Sequence, residues 1–490
     1  MKTKRPLSML LGLILMFPST AVPSYGRIPA QAAVLQETGY DNSLFSGLPD
    51  PDDSLFSADG LPAVDDSLFP ADGLPAVDDS LLSATDPEGS STVVSSFDRY
   101  TDTVKKTSKT NEFRAVWIAY YDFKKSAGSS ESAFTTYVEE MFDNAVACGL
   151  NAVVVHVRPF SDAMYKSSYY PWSDYASGTQ GKNPGYDPLE IMVREAHERK
   201  LQIHAWLNPY RISNAWKFGT DVTQLAKKHP ARKWLTNSKT SDDRNVLEHD
   251  GALYYNPSSS AVRKLIINGI REIVDNYDVD GIHLDDYFYP AFGSKYQTAF
   301  DAPEYEAYVE KRKAAGKKSI MTIAEWRKNN VNLLVKGIYS AVKETDPDCI
   351  FGISPGGYID YLDEVHRWYV DYRTWMSEEG YIDYICPQLY WSFNSKNIFP
   401  YYDTLLRWVA EKKSDSVKVY VGVPVYKMNA KNNISESNQI MDTEWYNQFL
   451  LADMIRYGRQ GGAEGFILFD YEDIADSRNA TALEHLKETW

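Results

Sequence analysis

Short apolar runs rich in β-branched residues recur along the chain from residue 112 to its end. Each run has the length of a buried strand, and the stretches between the runs resemble helices. One helix is predicted over residues 187–200, because Asp187 can cap it and Pro188 suits its first turn. Another is predicted over residues 324–344. The eight predicted strands cover residues 113–121, 152–158, 201–208, 281–286, 350–354, 382–390, 417–426 and 465–470.

The alternation of strands and helices favours one architecture. A helix between two strands allows them to lie parallel in one sheet, and eight such units can close on themselves. The sequence therefore predicts an α/β protein with a (β/α)8 TIM barrel over residues 111–490. The alternative is an open doubly wound sheet, which the missing glycine-rich phosphate loop makes less attractive.

Side chains alternate between the two faces of a strand, so apolar positions show which face meets the helices. In the second predicted strand Val153, Val155 and Val157 suit that outer face. His156 and Arg158 should then point into the barrel. Active sites of such barrels lie at the C-terminal ends of the strands. The inward polar side chains predicted at those ends are Arg158, Asn208, Asp285, Gln388, Tyr390 and Asp470.

The first 110 residues differ from the barrel region. Residues 1–26 have a basic start, an apolar run and then small residues, which is typical of a secretory signal peptide. Over residues 27–110 a 13-residue acidic unit recurs, as in DDSLFSADGLPAV and DDSLFPADGLPAV. Its few apolar residues cannot offset the entropy cost of folding, so we expect a disordered low-complexity tether. A calcium-binding repeat is the alternative, although the spacing of an EF-hand loop is absent.

Composition narrows the expected partners. The 490 residues include 51 Lys plus Arg and 67 Asp plus Glu, and the net charge of −16 argues against nucleic acid as a partner. After the signal peptide no apolar stretch is long enough for a membrane helix, so no membrane span is expected in the mature protein. Aromatic residues make up 14% of the chain, and this surplus suits a wet cleft lined with flat apolar faces.

Several long segments occur in the order found in one bacterial family. They are NAVVVHVRPFSDAMYKSSYYPWS, PGYDPLEIMVREAHERKLQIHAWLNPYRIS, DGIHLDDYFYP, FGISPGGY and DYICPQLYWSF. Together they resemble the glycosyl-hydrolase-like family 10, whose members are often exported (β/α)8 barrels, and the resemblance covers about residues 112–475. The resemblance implies a carbohydrate-active barrel, since members of the family are linked to glycan strands of the bacterial envelope.

Glycoside cleavage needs one carboxylic acid to protonate the leaving oxygen and a second group to stabilise or attack the anomeric carbon. Asp285 and Asp286 at the end of the fourth predicted strand are the candidate catalytic residues. As neighbours on a strand end they should point in different directions. One of them is therefore expected to act with a carboxylate from another strand, which Asp162 or Asp470 could supply.

The same segment resembles, more distantly, the DGxDxDxE motif of family-18 chitinases. Asp280, Gly281 and Asp285 match that motif. His283 replaces an aspartate, and Tyr287 stands where the acidic glutamate would be. The resemblance leaves open a substrate-assisted reaction in which Asp285 orients an N-acetyl group.

Other side chains are expected to bind the sugar. Arg158, Asn208 and Arg211 can bond to sugar hydroxyls or an acetamido group, although Arg211 could instead pair with a loop carboxylate. His204 is a further candidate that could equally be a core residue, and Trp391 could stack on a sugar ring or only pack the rim. The predicted substrate-binding residues are Arg158, Asp162, His204, Asn208, Arg211, Tyr287, Gln388, Tyr390, Trp391 and Asp470.

These observations predict a secreted or cell-envelope glycosidase. Its expected substrate is a polysaccharide or oligosaccharide, of the N-acetylated peptidoglycan type that the family resemblance implies. The alternative is a catalytically silent barrel that binds glycan as a lectin does. No cofactor is expected. Hydrolysis by a bound metal is disfavoured, because no HExxH or comparable spacing of His and carboxylate ligands occurs.

Overall fold

The computed structural model describes residues 112–292, 299–364, 367–393, 400–428 and 443–490. The predicted signal peptide over residues 1–26 and the predicted tether over residues 27–110 lie outside the described residues. Within the described residues, no helix has both the length and the hydropathy needed to cross a membrane.

Eight parallel strands close into a barrel. Their order around the barrel is β1, β10, β9, β8, β7, β6, β3 and β2, and β2 pairs with β1 again. This closure confirms the predicted (β/α)8 barrel. The strands, including a separate two-stranded sheet formed by β4 and β5, are β1 (Phe113–Ile118), β2 (Ala152–Arg158), β3 (Gln202–Leu207), β4 (Val246–His249), β5 (Ala252–Tyr255), β6 (Gly281–Leu284), β7 (Ile350–Ile353), β8 (Tyr384–Ile385), β9 (Lys418–Pro424) and β10 (Gly465–Phe469).

Helices surround the barrel. The predicted cap is confirmed, because the Asp187 side chain accepts hydrogen bonds from the first-turn backbone of α3. The helices are α1 (Glu131–Ala147), α2 (Asp174–Ser177), α3 (Pro188–Glu198), α4 (Pro230–Thr236), α5 (Thr240–Asp243), α6 (Ser260–Asn276), α7 (Ala302–Ala314), α8 (Ile323–Thr345), α9 (Ile359–Glu364), α10 (Tyr372–Ser377), α11 (Tyr401–Glu411), α12 (Leu450–Gln460), α13 (Tyr471–Ile474) and α14 (Ala480–Lys487). Short 3-10 helices lie at Tyr120–Lys125, Val222–Gln224, Arg367–Tyr369, Val425–Lys427, Thr443–Tyr446 and Ser477–Asn479.

All eight predicted barrel strands are present, but some are shorter than predicted. The run over residues 382–390 contains only Tyr384–Ile385 as a regular strand. Pro387 follows, and proline has no N–H to donate to a neighbouring strand. Pairing resumes at Gln388, which bridges to Gly356 and Gly422. After the proline, the segment of β8 therefore stays paired with its two neighbours through isolated β-bridges at Gln388.

The hairpin of β4 and β5 was not among the predicted strands. The two strands pair antiparallel, with His249 opposite Ala252. Asp250 and Gly251 form the turn, and both have positive φ, at 45° and 74°. An Asp-Gly pair between apolar runs is a strong hairpin signal, so the sequence did contain the information.

Large rings fill the barrel interior where strands carry glycine. A Cβ on Gly352 of β7 would lie 2.1 Å from Cζ of Tyr384, and one on Gly281 of β6 would lie 2.8 Å from the ring of His204. Only glycine leaves room for these rings. The interior cluster also contains Trp117 and Trp206, so the barrel is a packed core.

Apolar side chains on the outer face of the barrel pack against the helices. Val153, Val155 and Val157 belong to this outer core, as predicted. The predicted inward direction of Arg158 is wrong. The register of β2 against β3 shifts between His156 and Arg158, and Arg158 lies opposite Leu207, which faces the helices. The irregularity therefore moves Arg158 to the other face of the sheet.

Candidate active site

Asp285 lies directly after β6, at the C-terminal end of the barrel, and its carboxylate receives hydrogen bonds from two neighbouring segments. Trp206 Nε1 donates to Oδ2 at 3.1 Å, and Asn208 Nδ2 lies 3.2 Å from Oδ1. The backbone N–H of Tyr287 donates to Oδ1 at 3.3 Å. The carboxylate is thus aimed towards β3, as the predicted inward direction requires.

Burial and polar contacts have opposite effects on Asp285, which is 4% exposed. Burial raises the pKa of this carboxyl above its usual range, and the nearby Arg211 guanidinium and the donors from Trp206, Tyr287 and Asn208 oppose the rise. The net direction is upward. Asp285 consequently takes up a proton at a higher pH than an exposed aspartate does.

Arg211 lies in the loop after β3, where two backbone contacts fix it. Its N–H donates to Asn208 Oδ1 at 2.9 Å, which turns the amide nitrogen of Asn208 towards Asp285. Its Nε donates to the carbonyl of Pro159 at 3.2 Å. The guanidinium lies 5.4 Å from the ring of Tyr287, which is 45% exposed and so offers a flat face to the cleft.

Asp286 points to a different side of the cleft. The residue is 5% exposed, and a Cβ on Gly356 would lie 3.7 Å from its Oδ2. Asp286 therefore faces the loop after β7, whereas Asp285 faces β3. Burial raises the pKa of the Tyr390 hydroxyl, and Tyr426, Cys386, Asp286 and Asp470 add to the rise in decreasing order. Tyr390 therefore lies near the carboxylates of both Asp286 and Asp470.

Asp470, directly after β10, belongs to a carboxyl cluster with Asp122 and Asp473. The hydroxyl of Tyr121 donates to Asp470 Oδ2, and the N–H of Ala119 donates to Asp122 Oδ2 at 2.7 Å. Burial, followed by the charge of Asp470, raises the pKa of Asp122 to about 8. The same two causes raise the pKa of Asp473. The cluster therefore keeps protons at neutral pH.

We expect the carboxyl cluster to make the barrel less stable as pH rises. A carboxyl with a pKa of about 8 when folded and about 4 when unfolded binds more protons in the folded state between these values. The free energy of unfolding then falls from pH 5 to pH 8, by at most about 1.4 kcal/mol per pH unit for each proton. Asp122→Asn should reduce this slope, measured by urea unfolding at several pH values. Asp415→Asn, at an exposed site, is the control, and equal slopes in both variants would contradict the assignment.

Gln388 and Trp391 lie at the rim above β8. Gln388 Nε2 donates to the carbonyl of Ser354 at 3.2 Å, which ties this side chain to the end of β7. Trp391 is half-buried, and a Cβ on Gly357 would lie 2.9 Å from its Cζ3. Trp391 therefore keeps part of its surface exposed to solvent.

Three predicted binding residues lie apart from the carboxylates of the cleft. Arg158 is 1% exposed and faces α6, with its guanidinium 4.5 Å from the ring of Tyr170. Asp162 is fully buried and accepts from Gln180 at 2.9 Å, and burial raises its pKa to about 6. His204 pairs in register with Gly281, the first residue of β6, and therefore lies in the lower layer of the barrel. These positions argue against direct contact with a substrate.

A chain of hydrogen bonds runs through the barrel below the site. Trp117 Nε1 donates to His283 Nε2 at 3.1 Å. Burial lowers the pKa of both His283 and His204, so both rings are neutral. His283 must therefore carry its proton on Nδ1 and donate it to Tyr384 Oη, 2.8 Å away. The Tyr384 hydroxyl then donates to His204 Nδ1 at 3.1 Å.

The carboxyl cluster contains residues that the sequence-based prediction missed. Asp122 directly follows the predicted first strand, and Asp473 follows Asp470 by three residues. The rule that sites gather at strand ends could have found Asp122. Among the described residues, no three His, Cys, Asp or Glu side chains are grouped as a metal site would require.

Comparisons with known proteins agree with this barrel. The pattern of the glycosyl hydrolase-like 10 family matches residues 112–440. The chain is 39% identical over 343 residues to the glycosyl hydrolase YngK of Bacillus subtilis (strain 168), a match that covers 65% of this chain and 61% of YngK. It therefore spans less than two thirds of that relative's length. It is 32% identical over 375 residues to the glycosyl hydrolase DigH of Escherichia coli (strain K12), covering 72% of this chain and 79% of DigH.

A solved structure supports the fold. The glycoside hydrolase domain of PgaB (BpsB) from Bordetella bronchiseptica superimposes with a TM-score of 0.50 at 13% identity, covering 76% of this chain and 98% of that domain. At this identity the likeness concerns the fold alone. The family pattern, in contrast, extends over more than half of the sequence, including β6 and Asp285. The chain belongs to the glycosyl hydrolase-like 10 family.

Proposed function

We propose that the protein is an exported glycoside hydrolase that cleaves an N-acetylated glycan of the bacterial envelope, of the peptidoglycan type. The observation that carries the proposal is the buried, triply hydrogen-bonded carboxylate of Asp285 beside Asp286 at the C-terminal end of the barrel. Family membership supports the reaction class, and the signal-peptide pattern of residues 1–26 supports export.

In this mechanism the two aspartates have different roles. Cleavage passes through a state with positive charge on the anomeric carbon. Asp285 is held rigidly with its oxygens occupied by donors, which suits orienting an acetamido group or stabilising the positive charge. Asp286, on the other side of the cleft, donates the proton to the leaving oxygen. Because Asp285 has to be charged for this role, its raised pKa sets the acidic limit of activity.

The rim supplies binding surfaces for sugar rings. The exposed face of Tyr287 lies next to Asp285 and Asp286 in the chain, and Trp391 lies at the rim above β8. Aromatic faces of this kind bind the C–H side of a pyranose. Arg211 between Tyr287 and Phe160 can donate to hydroxyl or acetamido oxygens.

Removal of the Trp391 ring should weaken binding without unfolding the protein. We expect Trp391→Ala to raise the KM for the glycan by an amount equivalent to about 1–2 kcal/mol. The ring is partly exposed, so the loss of packing should be small. Steady-state kinetics together with the Tm measure both effects. An unchanged KM with a much lower Tm would show that Trp391 only packs the rim.

Product analysis on defined glycans tests the proposal. The purified protein would be incubated separately with intact peptidoglycan, with peptide-free glycan strands and with chitin oligomers, and the products weighed by mass spectrometry. Shorter saccharides with the mass of one added water per cleavage are expected from the N-acetylated strands. Binding of the strands without any cleavage would favour a lectin-like barrel instead.

A further inference from the structure

Trp206 of β3 lies inside the barrel immediately below Asp285. Its indole N–H donates to Asp285 Oδ2 at 3.1 Å. Trp206 is 8% exposed, so its ring is not an open surface for a sugar. The indole N–H of this buried tryptophan is therefore used to bind the carboxylate of the candidate site.

Two histidine rings fix the orientation of the indole. The ring of His156 in β2 stacks on Trp206 with centroids 3.8 Å apart and planes 15° apart. The ring of His283 in β6 meets it edge-on, at 90° and 6.4 Å. Burial lowers the pKa of both histidines, so both rings are neutral at ordinary pH. Side chains of the two neighbouring strands therefore contact the Trp206 ring, and they fix its orientation with the N–H towards Asp285.

We propose that Trp206 is the positioning residue of Asp285, which aims the carboxylate oxygen and keeps it available as a charged group. The proposal rests on the proposed function, in which Asp285 acts on the sugar. A donor to a carboxylate favours the charged form. Loss of the Trp206 N–H should therefore raise the pKa of Asp285 further, beyond the increase that burial already causes.

The Trp206 N–H donates to Asp285 and to none of the other charged or titratable groups described around it. Arg211 approaches from the loop after β3, Tyr287 and Asp286 adjoin it in the chain, and His156 and His283 lie below. Of these, Arg211 is the cation that opposes the effect of burial on Asp285. A change in the pH dependence of Trp206→Phe therefore reports the lost N–H.

The test is the pH dependence of Trp206→Phe on purified peptide-free glycan strands. Phenylalanine keeps an aromatic ring against His156 but has no N–H. We expect kcat to fall at least about tenfold and the acidic limb of the kcat profile to move up by about one pH unit, with KM within about twofold. An acidic limb that stays in place would overturn the proposal.

Trp117→Phe is the matched control. It removes another buried indole N–H, which donates to His283 and is not among the donors to Asp285. It should lower the Tm and leave the acidic limb where it is. An equal shift of the limb in both variants would show a general effect of core disruption and overturn the proposal.

Comparison of Trp206→Phe with Asp285→Asn separates the failure of this proposal from the failure of the proposed function. If Asp285→Asn keeps the activity of the parent protein, or if the parent protein cleaves no glycan, both proposals fail. If Asp285→Asn is inactive while the limb of Trp206→Phe is unmoved, only the role of Trp206 fails. Should Trp206→Phe not fold, Trp206→Met, which also has no donor, takes its place, and failure of both to fold would identify Trp206 as a packing residue.

Discussion

Asp285→Asn and Asp286→Asn are expected to fold normally, and at least one of them should lose about a thousandfold or more in kcat. The two side chains face different sides of the cleft, and a charge that acts in the transition state contributes several kcal/mol there. The measurement is turnover of glycan strands at the pH optimum of the parent. Tm and circular dichroism of each variant verify the fold.

The two aspartates should also differ from each other in their response. Asp285→Asn keeps an oxygen for the donors of Asn208 and Trp206 but removes the charge. Asp286→Asn removes the proton donor, and substrates with good leaving groups should restore part of its activity. Near-parental turnover in both variants would move the active site elsewhere, and Asp470, at the end of β10, would be examined next.

Asp301→Asn should lower the free energy of unfolding by about 3–5 kcal/mol. The carboxylate of Asp301 accepts from Nε of Arg327 at 2.9 Å, and both side chains are fully buried. Without the charge of Asp301, the Arg327 guanidinium would stay buried and uncompensated. This pair joins the far end of the loop after β6 to α8, so urea unfolding should show the loss directly.

An exposed ion pair between two helices provides the control for Asp301. Arg271 of α6 and Glu344 of α8 lie 3.1 Å apart with side chains 46% and 61% exposed. Glu344→Gln should change the free energy of unfolding by less than about 1 kcal/mol, because water screens this pair. Comparable losses in both variants would show that burial does not decide the effect at Asp301.

The fold was predictable because each barrel strand carries its own signal. Runs such as that around Val153 are apolar on the outer face, and helices between them impose parallel pairing. The end of β8 was less predictable, since the apolar run continues past Pro387 although regular pairing does not. The hairpin at Asp250 and Gly251 has a clear turn signal, but its two short strands lie outside the barrel and break the alternation of strands and helices.

The candidate site was predictable only in part. Strand parity correctly directs Asn208 and Asp285 inward, and both lie together. Parity fails at Arg158, because one irregularity in register reverses the face and leaves no mark in the sequence. Asp122 joins Asp470 only after the barrel closes between β1 and β10, a contact across the whole length of the domain.

The hydrogen bonds from Trp117 through His283 and Tyr384 to His204 are sealed inside the closed barrel. Solvent deuterium can reach such protons only when the strands separate. The indole proton of Trp117, which is 2% exposed, should therefore exchange at the rate of global opening. The rate at which its signal disappears from a nuclear magnetic resonance spectrum in heavy water would give the rate of global opening of the barrel.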